Sequence, residues 1–599
     1  MKNNIYVSIL IITAILFSTI IWNKISINFG DTQILGEYYS NSYHALNDPL
    51  RFVTFIFIPI AVYLLFKIIF EKKNINFDYI KFENSKKNNF SINLFILNLL
   101  IIIFLLFEFF SISFPLNQID IFHEGQKLSA PFKSLIDKKL WSGSFVTTGI
   151  INESLGIKSI WKILEHQSIG SMRYLQLVYI LLFKISLIVL IYQVVKNSLF
   201  RTDIKLVYFL IITLISLVLI DYDLNSGDSY SYRDLPIIVC LILFIKYLDN
   251  FKQSNLPLIF IGLLSIVTFF WSIDRALVNN LLIILICIHI LINREFKNFF
   301  TILISVIFFW YLFYFYLGDE FQHFVDNTLS IFKNQNYVHG LIHPQPFSDM
   351  PDSSRATRSL LLIILSMITS LSFLFYEKKK YNNNFKVIIV SLSFICFCSY
   401  LYALGRSDGG HIKQTSGTVI LFFSFFISFY ILKFFDNFFL KKFFNINLSY
   451  SLSIILLMIF IFNLKINIKN ILDYSSRFNQ FIYLEDKNYL SDEQNYLVQN
   501  LKPLISKYEC IQLFTYDAAL PYILQKPNCS KYYFIYSLGS IEDQKALIED
   551  LRNIEFVIYR GQTDNWGLSP QKKLTIVDKY INLNFINSKE ILNWEIKYR

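Results

Sequence analysis

The chain has 599 residues, of which 54% are hydrophobic, 18% aromatic and only 17% charged, with a formal net charge of +11. So apolar a composition excludes an ordinary soluble enzyme, because the apolar residues gather in blocks of roughly 17–25, the length that crosses a bilayer. The positive charge does not point to nucleic acid: Lys and Arg lie mainly in short connectors between the blocks, as in a membrane protein oriented by its basic loops.

In chain order the blocks fall at about 5–22, 51–70, 90–114, 174–195, 205–220, 235–248, 256–271, 277–293, 298–317, 359–376, 385–404, 418–435 and 449–464. They predict about thirteen transmembrane helices. The first follows only Lys2 and has no small-residue cleavage site after it, so a retained helix is expected in preference to a signal peptide. Placing the N-terminus in the cytoplasm puts the connectors with Lys72, Lys73, Arg201, Lys205, Arg294, Lys297, Lys378 to Lys380, Lys441 and Lys442 inside. Segments 23–50, 115–173, 221–234, 272–276, 318–358 and 405–417, and everything after about 470, then face outward. Lys127, Lys133, Lys138 and Lys139 in 115–173 run against this rule, which long translocated loops largely escape.

The outer segments hold nearly all the residues able to do chemistry. In Asp120-Ile121-Phe122-His123-Glu124-Gly125 two carboxylates and an imidazole stand within five positions, just past an apolar run. A helical turn would set Asp120 and Glu124 on one face with His123 beside Asp120. Two close carboxylates push their proton affinities apart, which makes one a candidate base. The same trio can instead help hold a divalent metal, Mg or Mn, or simply cap a helix. Downstream, Leu128 to Leu140 and Ile157 to Leu164 each place apolar residues on one side, the pattern of helices lying in the membrane interface.

Further along, Gly405-Arg406-Ser407-Asp408-Gly409-Gly410-His411-Ile412-Lys413 combines cations with a glycine-rich turn suited to an anionic phosphate. Asp408 there can orient Arg406 or His411. In Trp271-Ser272-Ile273-Asp274-Arg275 the connector is nearly absent, so Asp274 and Arg275 are expected to pair with each other or with another loop. The acidic stretch Asp221 to Asp234 contains Arg233 and a D-x-D spacing. The segment 318–358 carries His323, His339, His343, Arg355 and Arg358, but Gly340 and Pro344 argue against a zinc-binding helix. No nucleotide-binding glycine loop or hydrolase elbow is present.

After Asn470 the composition becomes that of a soluble domain. Helical patterns at about 491–506, 517–525, 541–553 and 569–580 alternate with β-prone runs at Ile511 to Tyr516, Tyr532 to Tyr536, Phe556 to Tyr559, Ile581 to Phe585 and Trp594 to Tyr598, predicting a small α/β layer. Of the six cysteines, only Cys510 and Cys529 lie here, and one pair in one soluble domain fits a disulfide in an oxidising compartment.

This layout resembles the GT-C superfamily of membrane glycosyltransferases, which includes protein O-mannosyltransferases, aminoarabinose transferases and arabinosyltransferases. The resemblance lies in the many helices, the acidic motif in a large outer loop flanked by two short helices, and the closing α/β domain. It covers most of the chain from about 90 onward. It implies a polytopic α-helical fold, with 1–89 as a two-helix addition, 90–470 as the transmembrane domain and 471–599 as a soluble extracytoplasmic domain in a bacterial inner membrane. It implies a polyprenyl-phosphate sugar donor, a glycan, lipid or protein acceptor, Asp120 or Glu124 as base, and outer-face cations on the donor phosphate, for which Arg406 and Lys413 are the candidates. The reading of the residues themselves adds His123 beside the carboxylates, and Asp408, His411, Arg233, Asp274 and Arg275 for donor or substrate contact. The chain departs from the family in placing this loop after the third helix and in spacing its two carboxylates; 23–50, with Asp31, Glu37 and His44, is a rival loop. A polymerase or ligase of lipid-linked glycans, centred on 318–358, is the alternative expectation, followed by a transporter, against which the lack of a repeat and the gathering of ionisable groups at the outer rim both speak.

Overall fold

The structure, a computed structural model, describes residues 2–27, 47–72, 92–198, 200–220, 231–249, 254–334, 346–349, 353–376, 383–404, 409–438, 446–565 and 568–599. The apolar blocks become α1 (Lys2–Trp22), α2 (Asn47–Lys72) and α3 (Ile92–Ser111). Two short helices follow in the large polar segment, α4 (Gly125–Asp137) and α5 (Gly156–Ile163). The bundle resumes with α6 (Ile169–Asn197), α7 (Thr202–Val218), α8 (Leu235–Asp249), α9 (Leu256–Trp271), α10 (Ile273–Ile292) and α11 (Phe296–Leu317). After α12 (Glu320–Asn334), it closes with α13 (Ser353–Tyr376), α14 (Asn383–Ala403), α15 (Gly409–Phe438) and α16 (Ile446–Asn463).

Eight helices among the described residues are long and apolar enough to cross a membrane, and the helices on the remaining blocks are shorter or less apolar. In hydrocarbon each backbone polar group must be satisfied within its own segment, which is why these blocks are helical. Their burial sorts them: 72% and 61% of the residues in the apolar stretches of α15 and α6 are buried, against only 11% in α11. The exposed Phe300, Ile304, Phe308, Tyr311 and Phe315 of α11 are suited to lipid.

The ends of the bundle differ chemically. One end carries a Lys196–Asp249 pair and the connector with Arg201 and Lys205. The other gathers the polar segment 112–168, the start of α8, the α9–α10 turn and α12, and upon these sits the chain after residue 467. Ser168 starts α6 at this end, its hydroxyl accepting from the Ser171 N–H.

The terminal region begins with α17 (Ile468–Leu472), α18 (Tyr474–Ile482) and α19 (Asp492–Ile505), the last opened by a capping box between Ser491 and Gln494. It continues as β1 (Gln512–Leu513), α20 (Leu520–Ile523), α21 (Ile541–Leu551), β2 (Phe556–Arg560), α22 (Pro570–Lys573), α23 (Thr575–Asn584), β3 (Asn587–Ile591) and β4 (Trp594–Tyr598). The sheet runs β1-β2-β4-β3, with β1 parallel to β2 and the other pairs antiparallel. A disulfide joins Cys510 and Cys529 across the base of β1.

Two sequence expectations are corrected, and one strand is added. Tyr532 to Tyr536 is no strand but enters a 3₁₀ turn (Ile535–Ser537), because its aromatic side chains are all buried in the core under the sheet. Ile581 to Phe585 ends α23. The edge strand β3 was not foreseen because its polar N-S-K-E run faces solvent.

The two amphipathic helices of the polar segment meet the terminal domain. Leu128 and Phe132 of α4 and Ile157 and Trp161 of α5 pack against one another and against Ala519, Tyr522 and Ile523. The terminal domain thus covers these four side chains, while Ile136 and Ile163 stay exposed. Burial of each such side chain contributes roughly 1.5–3 kcal/mol. Gly125 allows the approach, since a Cβ there would collide with the Ala519 backbone.

Candidate functional site

The motif Asp120 to Glu124 leaves the bundle as a single turn, with the Glu124 N–H donating to the Asp120 carbonyl at 3.0 Å. Two side-chain systems hold it. Asp120 Oδ1 accepts from the N–H groups of Phe122 (3.0 Å) and His123 (2.9 Å), and Oδ2 meets His123 Nδ1 at 2.7 Å. Burial works against ionisation of Asp120, but the His123 ring and the two backbone donors outweigh it and hold its pKa below the usual carboxylate value. The dyad is asymmetric: the His123 side chain is 48% exposed and that of Asp120 only 15%. Asp120 is therefore the anchored anion and His123 the accessible member.

Glu124 is spent differently. Arg173, on the first turn of α6, grips it at both oxygens, Nε to Oε1 at 2.7 Å and a terminal nitrogen to Oε2 at 2.8 Å. Glu124 Oε2 also accepts from the Asp120 N–H. The remaining Arg173 donors reach the carbonyls of Pro115, Asn117 and Gln118. Both side chains are buried, so the pair fixes the path of residues 115–124 and leaves Glu124 no open lone pair facing solvent. Of the two expected carboxylates, only Asp120 belongs to an accessible group.

A second buried carboxylate ties this turn to the terminal domain. Glu153 lies on a π-helical turn (Ile151–Leu155) and is fully buried. It accepts from Gln126 Nε2 (2.6 Å), the Thr147 N–H and hydroxyl, the Thr148 N–H and hydroxyl, and Tyr533 Oη (3.3 Å). The single Tyr533 hydroxyl proton is shared between Glu153 and the Gln126 carbonyl at 3.1 Å. From the far side, α12 clamps the same loop: Asn327 exchanges hydrogen bonds with both backbone groups of Val146, and Glu320 accepts from the Leu140 and Ser142 N–H groups.

The cationic partners approach from the α8 and α9–α10 ends. Arg275 is buried between two carboxylates, with Nε on Asp234 and a terminal nitrogen on Asp274 at 2.9 Å. Asp274 also accepts from the Ser272 hydroxyl, and Arg233 lies within electrostatic reach of it. This cluster is joined to the motif's loop by the Ile273 N–H on the Thr148 carbonyl and by Asn152 on the Trp271 carbonyl. Lys127, one turn beyond His123, lies 5.8 Å from the centre of the Tyr232 ring, next to Arg233.

The expected residues Arg233, Asp274 and Arg275 therefore come together, and Arg275 is committed to its two aspartates. Arg406 and Asp408 lie outside the described residues, as do Asp31, Glu37, His44, His339 and His343. His411 falls on the first turn of α15, and Lys413 follows it, exposed. Sequence reasoning missed Lys127, Arg173 and Glu153. Only Lys127 carried a local signal, its four-residue spacing from His123. Among the described residues no group of three or more His, Cys, Asp or Glu is placed to hold a metal ion. Both oxygens of Asp120 accept from protein donors.

No protein-family model and no curated protein matches the chain. Among solved structures it is similar to the archaeal oligosaccharyltransferase AglB from Archaeoglobus fulgidus in complex with an inhibitory peptide and a dolichol-phosphate. That match has 10% identity and a TM-score of 0.39, over 82% of this chain and 73% of the other. An Archaeoglobus fulgidus oligosaccharyltransferase tethered with an acceptor peptide is similar at 10% identity and a TM-score of 0.33, over 81% and 72%. At that degree of overlap the likeness carries no statement about activity.

Proposed function

We propose that the chain is a membrane glycosyltransferase that moves a sugar from a polyprenyl-phosphate donor to an acceptor on the face of the membrane where the terminal domain sits. The observation that carries this reading is the Asp120–His123 dyad, an anchored carboxylate against an accessible imidazole, 2.7 Å apart. The layout around it agrees: a polar loop between two long apolar helices, roofed by an α/β domain. The basic connectors support an extracytoplasmic orientation for this face, and we take the membrane to be a bacterial inner membrane.

In the proposed step the acceptor's nucleophilic atom forms a bond to the anomeric carbon of the sugar. The bond from that carbon to the phosphate oxygen breaks, and its electron pair leaves with the lipid phosphate. The acceptor's proton passes to the dyad, at the His123 ring nitrogen turned away from Asp120, while the Asp120 carboxylate stabilises the imidazolium that forms. Lys127 and Arg233 supply positive charge for the leaving phosphate, a contribution that grows as charge develops there.

The test is release of polyprenyl phosphate from a panel of polyprenyl-phosphate sugars by the purified full chain. Asp120→Asn and His123→Gln are each expected to slow release by about 10²–10⁴-fold, with the melting temperature little changed. Undiminished release in Asp120→Asn would overturn the assignment.

A further inference from the structure

A cavity of about 570 Å³ lies where α3, α7 and α16 end, against the middle of α6, on the same face as the dyad but walled by a different set of residues. Its apolar side is formed by Leu105, Leu214, Leu217 and Phe460. Its polar side is formed by Ser111, Ser113 and the connector from Asn463 to Asn470 that leaves α16. That connector is tied to the end of α3, with the Ser111 hydroxyl on the Lys465 carbonyl at 3.0 Å and Asn470 Nδ2 on the Ser111 carbonyl at 2.9 Å. Exposed Val218 and Asn463 belong to the lining, so the cavity opens on the outer surface of the bundle.

Within the lining, Lys184 of α6 meets Glu108 of α3 at 3.5 Å, with side chains only 4% and 14% exposed. Ionisable groups set among transmembrane helices are costly and mark sites where a polar ligand is met. The exposed Lys465 adds a second ammonium, so among the described residues the lining carries two cations against one carboxylate, beside hydroxyl and amide donors and an apolar wall. A ligand complementary to this lining is amphipathic and carries one net negative charge.

We propose that this cavity binds the headgroup of an anionic phosphodiester lipid, of the phosphatidylglycerol type, its chains lying along Leu217 and Phe460. The headgroup would rest against the end of α3, nine residues before Asp120, independently of whether the dyad transfers a sugar.

The test is lipid analysis of the full chain purified in mild detergent from vesicles of equal phosphatidylglycerol and phosphatidylcholine. The wild-type chain is expected to retain about one phosphatidylglycerol per chain in preference to phosphatidylcholine. Leu217→Trp, which fills the cavity without altering its charge, should reduce that retention at least about tenfold, and Lys465→Gln, at an exposed position, should weaken it with no change in folding. Equal retention of the two lipids, or unchanged retention in both variants, would overturn the proposal. So would displacement of the lipid by millimolar glycerol 3-phosphate, which would make the site one for a free phosphate ester.

Discussion

Replacing Arg173 by Met separates the structural carboxylate from the chemical one. The substitution keeps an unbranched apolar stem but removes the guanidinium donors that hold Glu124 and the carbonyls of residues 115–118. Glu124 loses a bidentate partner with contacts of 2.7 and 2.8 Å, and the carbonyls of Pro115, Asn117 and Gln118 lose theirs. Stranding one member of a buried ion pair costs about 3–5 kcal/mol. If that cost appears as local opening, it lowers amide protection by about 10²–10³-fold or more. The amides to follow by hydrogen exchange are those of Asp120, which donates to Glu124, and of Phe122 and His123, which donate to Asp120. Removing both charges in Glu124→Gln/Arg173→Met should restore much of the protection, because two neutral partners leave no stranded charge. Release activity should follow protection through this series, falling in the single variant and recovering in the double. An inactive double variant with fully restored protection would refute the reasoning and make Glu124 a chemical participant.

Other expected outcomes are simpler. Glu153→Gln turns an amide NH₂ toward a ring of donors and should lower stability by about 2–3 kcal/mol, seen as a lower melting temperature with Asp120 and His123 unaltered. Burial, aided by the charge of Asp517, pushes Asp564 up to about 7 against the donors Tyr516 N–H, Thr515 and Gly561 N–H. The folded state thus holds this proton more tightly than the unfolded chain. The linked stability is complete below about pH 4 and is lost as pH rises through about 7, an effect of up to roughly 4 kcal/mol. Asp564→Asn should flatten the melting temperature of the full chain between pH 5 and 8, and an unchanged slope would contradict it. Opening the disulfide by Cys510→Ser, which frees a sequence separation of 19, should cost about 3 kcal/mol by loop entropy, measured as lost protection of β1 and β2.

What could be read from the sequence was whatever depends on neighbours. The apolar blocks became helices because backbone in lipid has no alternative, and His123 found Asp120 because they are three residues apart. Cys510 and Cys529 were recognisable as the two thiols of one polar stretch. Arg173 was not, although it determines what Glu124 can do: the two are 49 residues apart, and a lone Arg at the start of an apolar run reads as a flanking charge. Glu153 was equally hidden, because its ligands come from 126, 147, 148 and 533. The amphipathic patterns of α4 and α5 were visible as patterns, but the pattern does not say whether lipid or protein covers the apolar side. β3 was invisible because an exposed edge strand needs no apolar alternation to pair with β4.

The shared core of the loop and the terminal domain has a consequence for biosynthesis. Tyr533 closes over Gln126 from 407 positions later in the chain. At about 5–20 residues per second, the ribosome needs roughly 20–80 seconds to supply that cover. During this interval Ile119, Ile121, Phe122, Leu128, Phe132 and Trp161, all buried in the finished protein, have no partner from the terminal domain. The nascent loop is therefore a natural client for a holding chaperone or for the membrane surface itself. Premature termination after α16 would leave this adhesive loop uncovered, so truncated chains should be recognised for degradation sooner than full-length chains carrying a substitution at the dyad.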